Sequence, residues 1–90
     1  MTTIFIPTPM RNTTHNKAKL EVGPGSVNEV LSRCSHEFPE LRSQLFNENG
    51  AIKRYINIFV NGDDIQALDG MNTVLTERDE VLIVPAMAGG

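Results

Sequence analysis

The residues with the clearest chemical use in this chain are its last two, Gly89 and Gly90. Lacking Cβ atoms, a Gly-Gly segment can lie extended in a slot too narrow for other residues, and it adopts backbone angles closed to them. Its final group is an unhindered α-carboxylate, which makes it a poor structural element and a good chemical handle. Frayed chain ends are common and usually of no consequence. The weight here comes from what leads into the end: the apolar run Val81-Leu82-Ile83-Val84, then Pro85, then the small or unbranched Ala86, Met87 and Ala88.

The other groups capable of chemistry carry less. Cys34 is the only cysteine, so no internal disulfide is possible, and it has no neighbouring base to activate it. It falls on an apolar helical stripe, where packing is the expected role. His15 lies in a polar turn and His36 near a helix end, with no third ligand at metal spacing, so no metal site is expected. Asp63, Asp64 and Asp69 bracket turns and lack the alternating ligands and closing glutamate of a calcium loop. Gly23-Pro24-Gly25 leads into a helix N-terminus, an anion-binding position, but without the Gly-Lys-Ser/Thr of a phosphate loop. Arg11 has no role that its neighbours reveal.

The elements that must position the terminus can be read from periodicity. Thr2 to Ile6 alternates, with Ile4 and Ile6 on one face and Phe5 on the other, and reads as a first strand closed by Pro7. Thr8 to Asn16 is a long polar turn. Lys17 to Val22 sets Ala18, Leu20 and Val22 against Lys17, Lys19 and Glu21, a half-exposed second strand that completes a hairpin. Ser26 with Glu29 three residues later is a capping box. Val27, Val30, Leu31, Cys34 and Phe38 then recur at helical spacing up to Pro39. Glu40 to Phe46 supports a short second helix. Arg54 to Val60 is the third strand, with Ile56, Ile58 and Val60 inward and Tyr55, Asn57 and Phe59 outward. Asn61-Gly62 is a tight turn, and Ile65 is expected to begin a short return strand. Val74 and Leu75 are both expected in the core. The last strand is expected to end at Pro85, since proline donates no ladder hydrogen bond.

Two strands, a capped helix and further strands describe a sheet with one helix on its face, an α+β architecture. The first and last strands, rich in Ile and Val, belong at its centre. The expected fold is the β-grasp, or ubiquitin-like, fold: a mixed sheet of four to five strands with one main helix on one face. The expected division is a domain over residues 1–84 and a flexible diglycine tail over 85–90.

Composition agrees with a single globular domain. Of 90 residues, 40% are hydrophobic and 21% charged. A net charge of −3, with eight scattered Lys and Arg, argues against nucleic-acid binding. No apolar run approaches the ~20 residues of a membrane helix. The N-terminus lacks the basic and apolar segments of a signal peptide, so a cytoplasmic location is the default expectation.

The run from Glu80 to Gly90 resembles the C-terminus of the ubiquitin-like sulfur carriers, the MoaD/ThiS family. Within it, three segments are most similar to the carriers of cysteine biosynthesis: Ile6-Pro7-Thr8 followed by Arg11, Asn57 to Asn61 with Asp64-Ile65, and Pro85 to Gly90. The similarity spans essentially the whole chain. It implies a carrier that binds no cofactor itself and contains no catalytic residue of its own. A partner of the ubiquitin-activating type would use ATP and magnesium to adenylate the Gly90 carboxylate, and sulfide or a persulfide would then displace AMP to leave a thiocarboxylate. That sulfur would serve a pyridoxal-phosphate cysteine synthase, and a metal-dependent hydrolase would release the product. The chemistry suits these residues, because a carboxylate is a poor electrophile until made a mixed anhydride, whereas a thiocarboxylate is ionised and nucleophilic at neutral pH.

Two other functions require the same terminus: the small subunit of molybdopterin synthase, and a ubiquitin-like modifier joined to target lysines. In all three, the sheet offers a second feature. If the first, last and third strands are neighbours, Phe5, Leu82 and Phe59 share its outer face and form one apolar patch suited to docking the activating enzyme.

Overall fold

The computed structural model describes residues 1–86 of the chain. Among them, five strands form one sheet: β1 (Thr2–Phe5), β2 (Lys19–Val22), β3 (Ile56–Val60), β4 (Asp63–Asp64) and β5 (Glu80–Pro85). Two helices, α1 (Val27–Glu37) and α2 (Pro39–Leu45), lie between β2 and β3 in the chain. The strand order is β2-β1-β5-β3-β4. β5 runs parallel to β1 and antiparallel to β3, which places the last strand at the centre of the sheet.

Helix α1 forms where the sequence provides both a start and a stripe. The Ser26 hydroxyl accepts from the Glu29 N–H at 3.1 Å, and the Glu29 carboxylate accepts from the Ser26 N–H at 2.9 Å. These reciprocal bonds satisfy two of the otherwise unpaired N–H groups at the helix start. They also hold the exposed Glu29 carboxyl below its ordinary pKa, chiefly through the bond from the Ser26 N–H. Val27, Val30 and Leu31 are fully buried; burying each side chain is worth roughly 1.5–3 kcal/mol. Pro39 stops α1 and opens α2 in the same stroke, because a proline ring fits the first turn of a helix, where its missing N–H has no partner to lose.

The inner face of the sheet meets these helices with Ile4, Ile6, Leu20, Ile56, Ile58, Val60, Val81 and Ile83, all buried. Cys34 lies among the same core side chains, and burial, then the nearby Glu37, pushes its thiol up to about 11. Its role is packing.

Several local expectations need correction. The stretch after Pro7 is a 3-10 helix over Thr8–Thr14 rather than an open turn, and it closes one end of the core with Met10. Thr13 donates to the Met10 carbonyl at 2.6 Å, and Thr14 reaches the Lys17 carbonyl at 3.0 Å, so the polar residues turn inward to hold the coil. The return strand after Gly62 is only Asp63–Asp64. The Asp64 carboxylate accepts from the Gln66 N–H at 2.8 Å, which caps a 3-10 turn at Ile65–Ala67 and drives Ile65 into the core. Val74 is 74% exposed, not buried. Val27 N–H donates to the Thr73 carbonyl and Leu75 N–H to the Gly25 carbonyl, so this segment is extended, and adjacent residues on an extended chain face opposite ways. Leu75 takes the core side.

The last strand ends at Pro85, as the sequence predicts, but Pro85 is itself part of the ladder. It pairs with Ile56, and the Ala86 N–H donates to the Tyr55 carbonyl at 2.6 Å. Successive N–H groups point to opposite sides of a strand, so the Pro85 nitrogen faces the β1 side. There the ladder has already finished at Phe5 and Leu82, and no donor is lost.

Candidate functional site

The open face of the sheet and the end of β5 form one continuous surface. In register, Leu82 lies opposite Phe5 on β1 and opposite Phe59 on β3. The structure therefore brings together the three residues singled out from the sequence. Leu82, on the central strand, is 46% exposed, while Phe5 and Phe59 are half-buried beside it. The cross-strand row continues to Lys19 beyond Phe5 and to Asp64 beyond Phe59, giving an apolar centre with opposite charges at its two ends. A shallow hollow of about 450 Å³ opens here, lined by Phe5, Asn61, Gly62, Glu80 and Leu82.

The same face leads toward the terminus. Val84, half-buried, is opposite Asn57, and Ala86 is exposed and anchored to the Tyr55 carbonyl. The Lys53 ammonium stands 5.8 Å from the centre of the Tyr55 ring. Tyr55 is a participant the sequence analysis passed over. Its signal was present in the outward alternation of Tyr55, Asn57 and Phe59. The remaining residues assigned to the tail, Met87, Ala88, Gly89 and Gly90, lie outside the described residues.

A polar clamp fixes the start of β5. Asn61 and Gly62 adopt φ of 51° and 90°, the left-handed pair that a two-residue hairpin turn requires. In that position the Asn61 amide donates to Asp79 at 2.8 Å and accepts from the Glu80 N–H at 3.0 Å. Asp79 also accepts from the Thr76 N–H at 2.7 Å. That bond, and then the Asn61 amide, hold its carboxyl below the ordinary value of 3.8. The turn beside β4 and the entry to β5 are thereby locked together, at the same end of the patch as the hollow.

The remaining candidates have structural surroundings. The Arg11 Nε donates to the Ile6 carbonyl at 3.0 Å, tying the 3-10 helix to the end of β1. His15 packs its ring 5.6 Å from that of Phe38. His36 is exposed near the end of α1. Asp64 caps a turn, whereas Asp63 and Asp69 are exposed beside turns. Among the described residues, no group of three His, Cys, Asp or Glu side chains is gathered to hold a metal. The Gly23-Pro24-Gly25 loop offers no open anion cradle. The Arg33 guanidinium donates to the Gly23 and Pro24 carbonyls at 2.8 and 3.1 Å, and the Ser26–Glu29 pair occupies the helix start. No helix among the described residues is long and apolar enough to cross a membrane.

A sheet in this order, with its last strand at the centre and one main helix across its inner face, defines a ubiquitin-like β-grasp protein. Its backbone superposes on the solved structure of the Amycolatopsis orientalis BexX/CysO complex with a TM-score of 0.90. Sequence identity there is 28%, and all of both chains is covered. Residues 4–90 match the ThiS family, and the chain belongs to that family. The sulfur carrier protein CysO of Mycobacterium tuberculosis is 29% identical over 90 residues, covering 98% of this chain and 97% of the relative. The small archaeal modifier protein 3 of Haloferax volcanii is 37% identical over 65 residues, covering 72% and 70% of the two chains.

Proposed function

We propose that this protein is a sulfur carrier: the Gly90 carboxylate is adenylated by a partner enzyme and converted to a thiocarboxylate that donates sulfur, most directly for cysteine biosynthesis. The observation that carries the reading is the match to the ThiS family through residue 90, which includes the diglycine. The near full-length similarity to a protein named as the CysO sulfur carrier supports the cysteine branch.

The surroundings of the body fit a donor that is acted on rather than an enzyme. The single thiol, Cys34, is buried and pushed up to about 11, so it is neither accessible nor ionised at neutral pH and is unsuited to hold transferable sulfur. Sulfur carriage then falls to the terminus. β5 is central in the sheet and stays paired with β3 through Pro85 and Ala86, which gives a firm base immediately before residues 87–90. The four residues after Ala86 span at most ~14 Å, which sets how closely the partner's adenylation site must approach the open sheet face.

In this reading Phe5, Leu82 and Phe59 dock the activating enzyme, and the Lys19 and Asp64 ends of the row set its orientation. The enzyme supplies ATP and magnesium; this chain supplies the carboxylate. Sulfide displaces AMP from the mixed anhydride to leave the thiocarboxylate; a persulfide displaces it to leave an acyl disulfide, which a second thiol of the donor cleaves to the thiocarboxylate and a disulfide. The resulting sulfur attacks an activated serine derivative on a pyridoxal-phosphate synthase, and a metal-dependent hydrolase frees the cysteinyl product from the carrier.

The similarity to an archaeal modifier protein favours a second reading, in which the activated Gly90 is joined to lysines of other proteins. The intact mass of the protein purified from its own cells separates the two. A gain matching one oxygen replaced by sulfur, or an added cysteine residue, is expected for the carrier. High-mass conjugates are expected for the modifier. Unmodified chain alone, together with normal growth of cells lacking Gly90, would overturn both.

A further inference from the structure

The two edges of the sheet differ. β4 is two residues long, and the chain leaves it at once into a capped 3-10 turn. β2, at the other end, is four residues long and has β1 on one side alone. The Ala18 carbonyl accepts from the Ile6 N–H at 2.8 Å, and Leu20 lies opposite Ile4. Ala18, Leu20 and Val22 therefore turn their backbone groups toward β1, while Lys19 and Glu21 turn theirs away from it. This outward stretch is bounded at both ends. The Lys17 N–H donates to the Thr14 carbonyl, and the Lys17 carbonyl accepts from the Thr14 hydroxyl, each at 3.0 Å. The Gly23 carbonyl accepts from the Arg33 guanidinium at 2.8 Å. Between these bounds, no other segment among the described residues bonds the backbone of Lys19 or Glu21.

The side chains select what fits this edge. Lys19 and Glu21 are both exposed and lie on the same face of the sheet, opposite Phe5 and Thr3. Charged residues on an edge strand ordinarily hold a second copy away, and a pair of like sign would do so. Here the signs are opposite. In an antiparallel pairing centred on Leu20, Lys19 of each copy lies opposite Glu21 of the other, and their outward N–H and carbonyl groups meet in the hydrogen-bonded positions. Centring on Lys19 instead would set lysine against lysine and require the backbone of Lys17, which is already bonded. Centring on Glu21 would set glutamate against glutamate, and like charges directly opposite are destabilising. We infer that β2 is a self-association edge. Two copies join their sheets through it in the register centred on Leu20, held by the backbone groups of Lys19 and Glu21 and by reciprocal Lys19–Glu21 ion pairs. On the inner face, Ala18 of one copy covers the half-buried Val22 of the other. The two-fold axis stands perpendicular to the joined sheet, so both rows of Phe5, Leu82 and Phe59 face the same side. The association does not depend on chemistry at Gly90.

The test is sedimentation equilibrium of the full-length protein at up to about 1 mM, since an interface this narrow binds weakly. A reversible monomer–dimer equilibrium is expected, with amide chemical shifts of Lys19 and Glu21 that move with concentration. Lys19→Glu alone and Glu21→Lys alone each set like charges opposite in both pairs, and each should weaken dimerisation by about tenfold. Mixing these two single variants restores opposite signs in both pairs, so the mixture should form heterodimers as tightly as the wild type forms homodimers. The double variant Lys19→Glu/Glu21→Lys should dimerise like the wild type. A wild type that stays monomeric across the whole range would overturn the proposal. So would a dimer indifferent to either reversal, or one that mixing fails to rescue, because another surface or net charge alone would then govern the association.

Discussion

Val81 and Leu82 are neighbours on one strand and meet opposite surroundings. Val81 is fully buried beneath the helices, whereas Leu82, one step along, is 46% exposed at the centre of an uncovered row of side chains. The same alternation sets Ile4 against Phe5 and Ile58 against Phe59. Three adjacent strands thus present one face that packs the core and one face left open. The inner face is closed over by a capped amphipathic helix. Among the described residues the outer face has no covering layer, and it ends beside the strand that leads to the terminus. The two properties rest on alternate residues of the same backbone, so they can be altered separately.

The largest expected effect lies on the inner face. Ile83→Ala should lower the free energy of unfolding by roughly 2–5 kcal/mol, from lost transfer energy and the cavity left behind, as measured by chemical denaturation. If the unfolding midpoint barely moved, the inner face would not be the seat of stability. Leu82→Asp, one residue earlier, should leave the fold intact yet weaken binding of the activating enzyme by about tenfold or more, the loss typical of a central contact residue. Phe59→Asp should act in the same direction. Unchanged affinity in a calorimetric titration would detach the open face from partner recognition.

Smaller effects sharpen the contrast. Ser26→Ala removes the cap that sets α1 over the inner face and should cost about 1 kcal/mol of stability, with no loss of partner binding. Cys34 should react with a thiol reagent only as fast as the protein unfolds. Labelling of the native protein at the rate of a free cysteine would contradict its burial. Asp79 gives the smallest effect and a defined pH window. Its folded-state pKa is depressed, so its contribution is fully present above the ordinary value of 3.8 and is lost as pH falls through the lower folded value. The stability difference between wild type and Asp79→Asn should therefore be present at neutral pH and disappear in strong acid.

Alternation and capping made much of this legible before any coordinates. Period-two patterns in Thr2 to Ile6 and in Ile56 to Val60 assign residues to faces, because each face has one solvent and one register satisfies both. The Ser26–Glu29 pair marks the helix start within one residue. The failures occurred where local hydrogen bonding overrode the pattern. Val74 and Leu75 are both apolar, and nothing in their side chains reveals that backbone bonds to Gly25 and Val27 hold the segment extended. Pro85 ends β5 as the sequence predicts; that it is still paired with Ile56 depends on the β1 neighbour having already ended. The roles of Arg11 and of the Asn61–Asp79 clamp rest on contacts across 5 and 18 positions of sequence, which no local pattern encodes. For the site, the patch followed from strand order and register, which the alternation of Phe5, Phe59 and Leu82 already implied.

The central claim is that the protein's chemistry takes place at the carboxylate of Gly90, with the body serving to present it. Its most direct test compares the wild-type chain with one carrying a single alanine after Gly90, both tagged at the N-terminus and purified from the cells that normally make the protein. Mass spectrometry should find oxygen replaced by sulfur in the wild type and no such species in the extended chain, with both equally folded. Thiocarboxylate or sulfur transfer of equal yield from the extended chain would contradict the account.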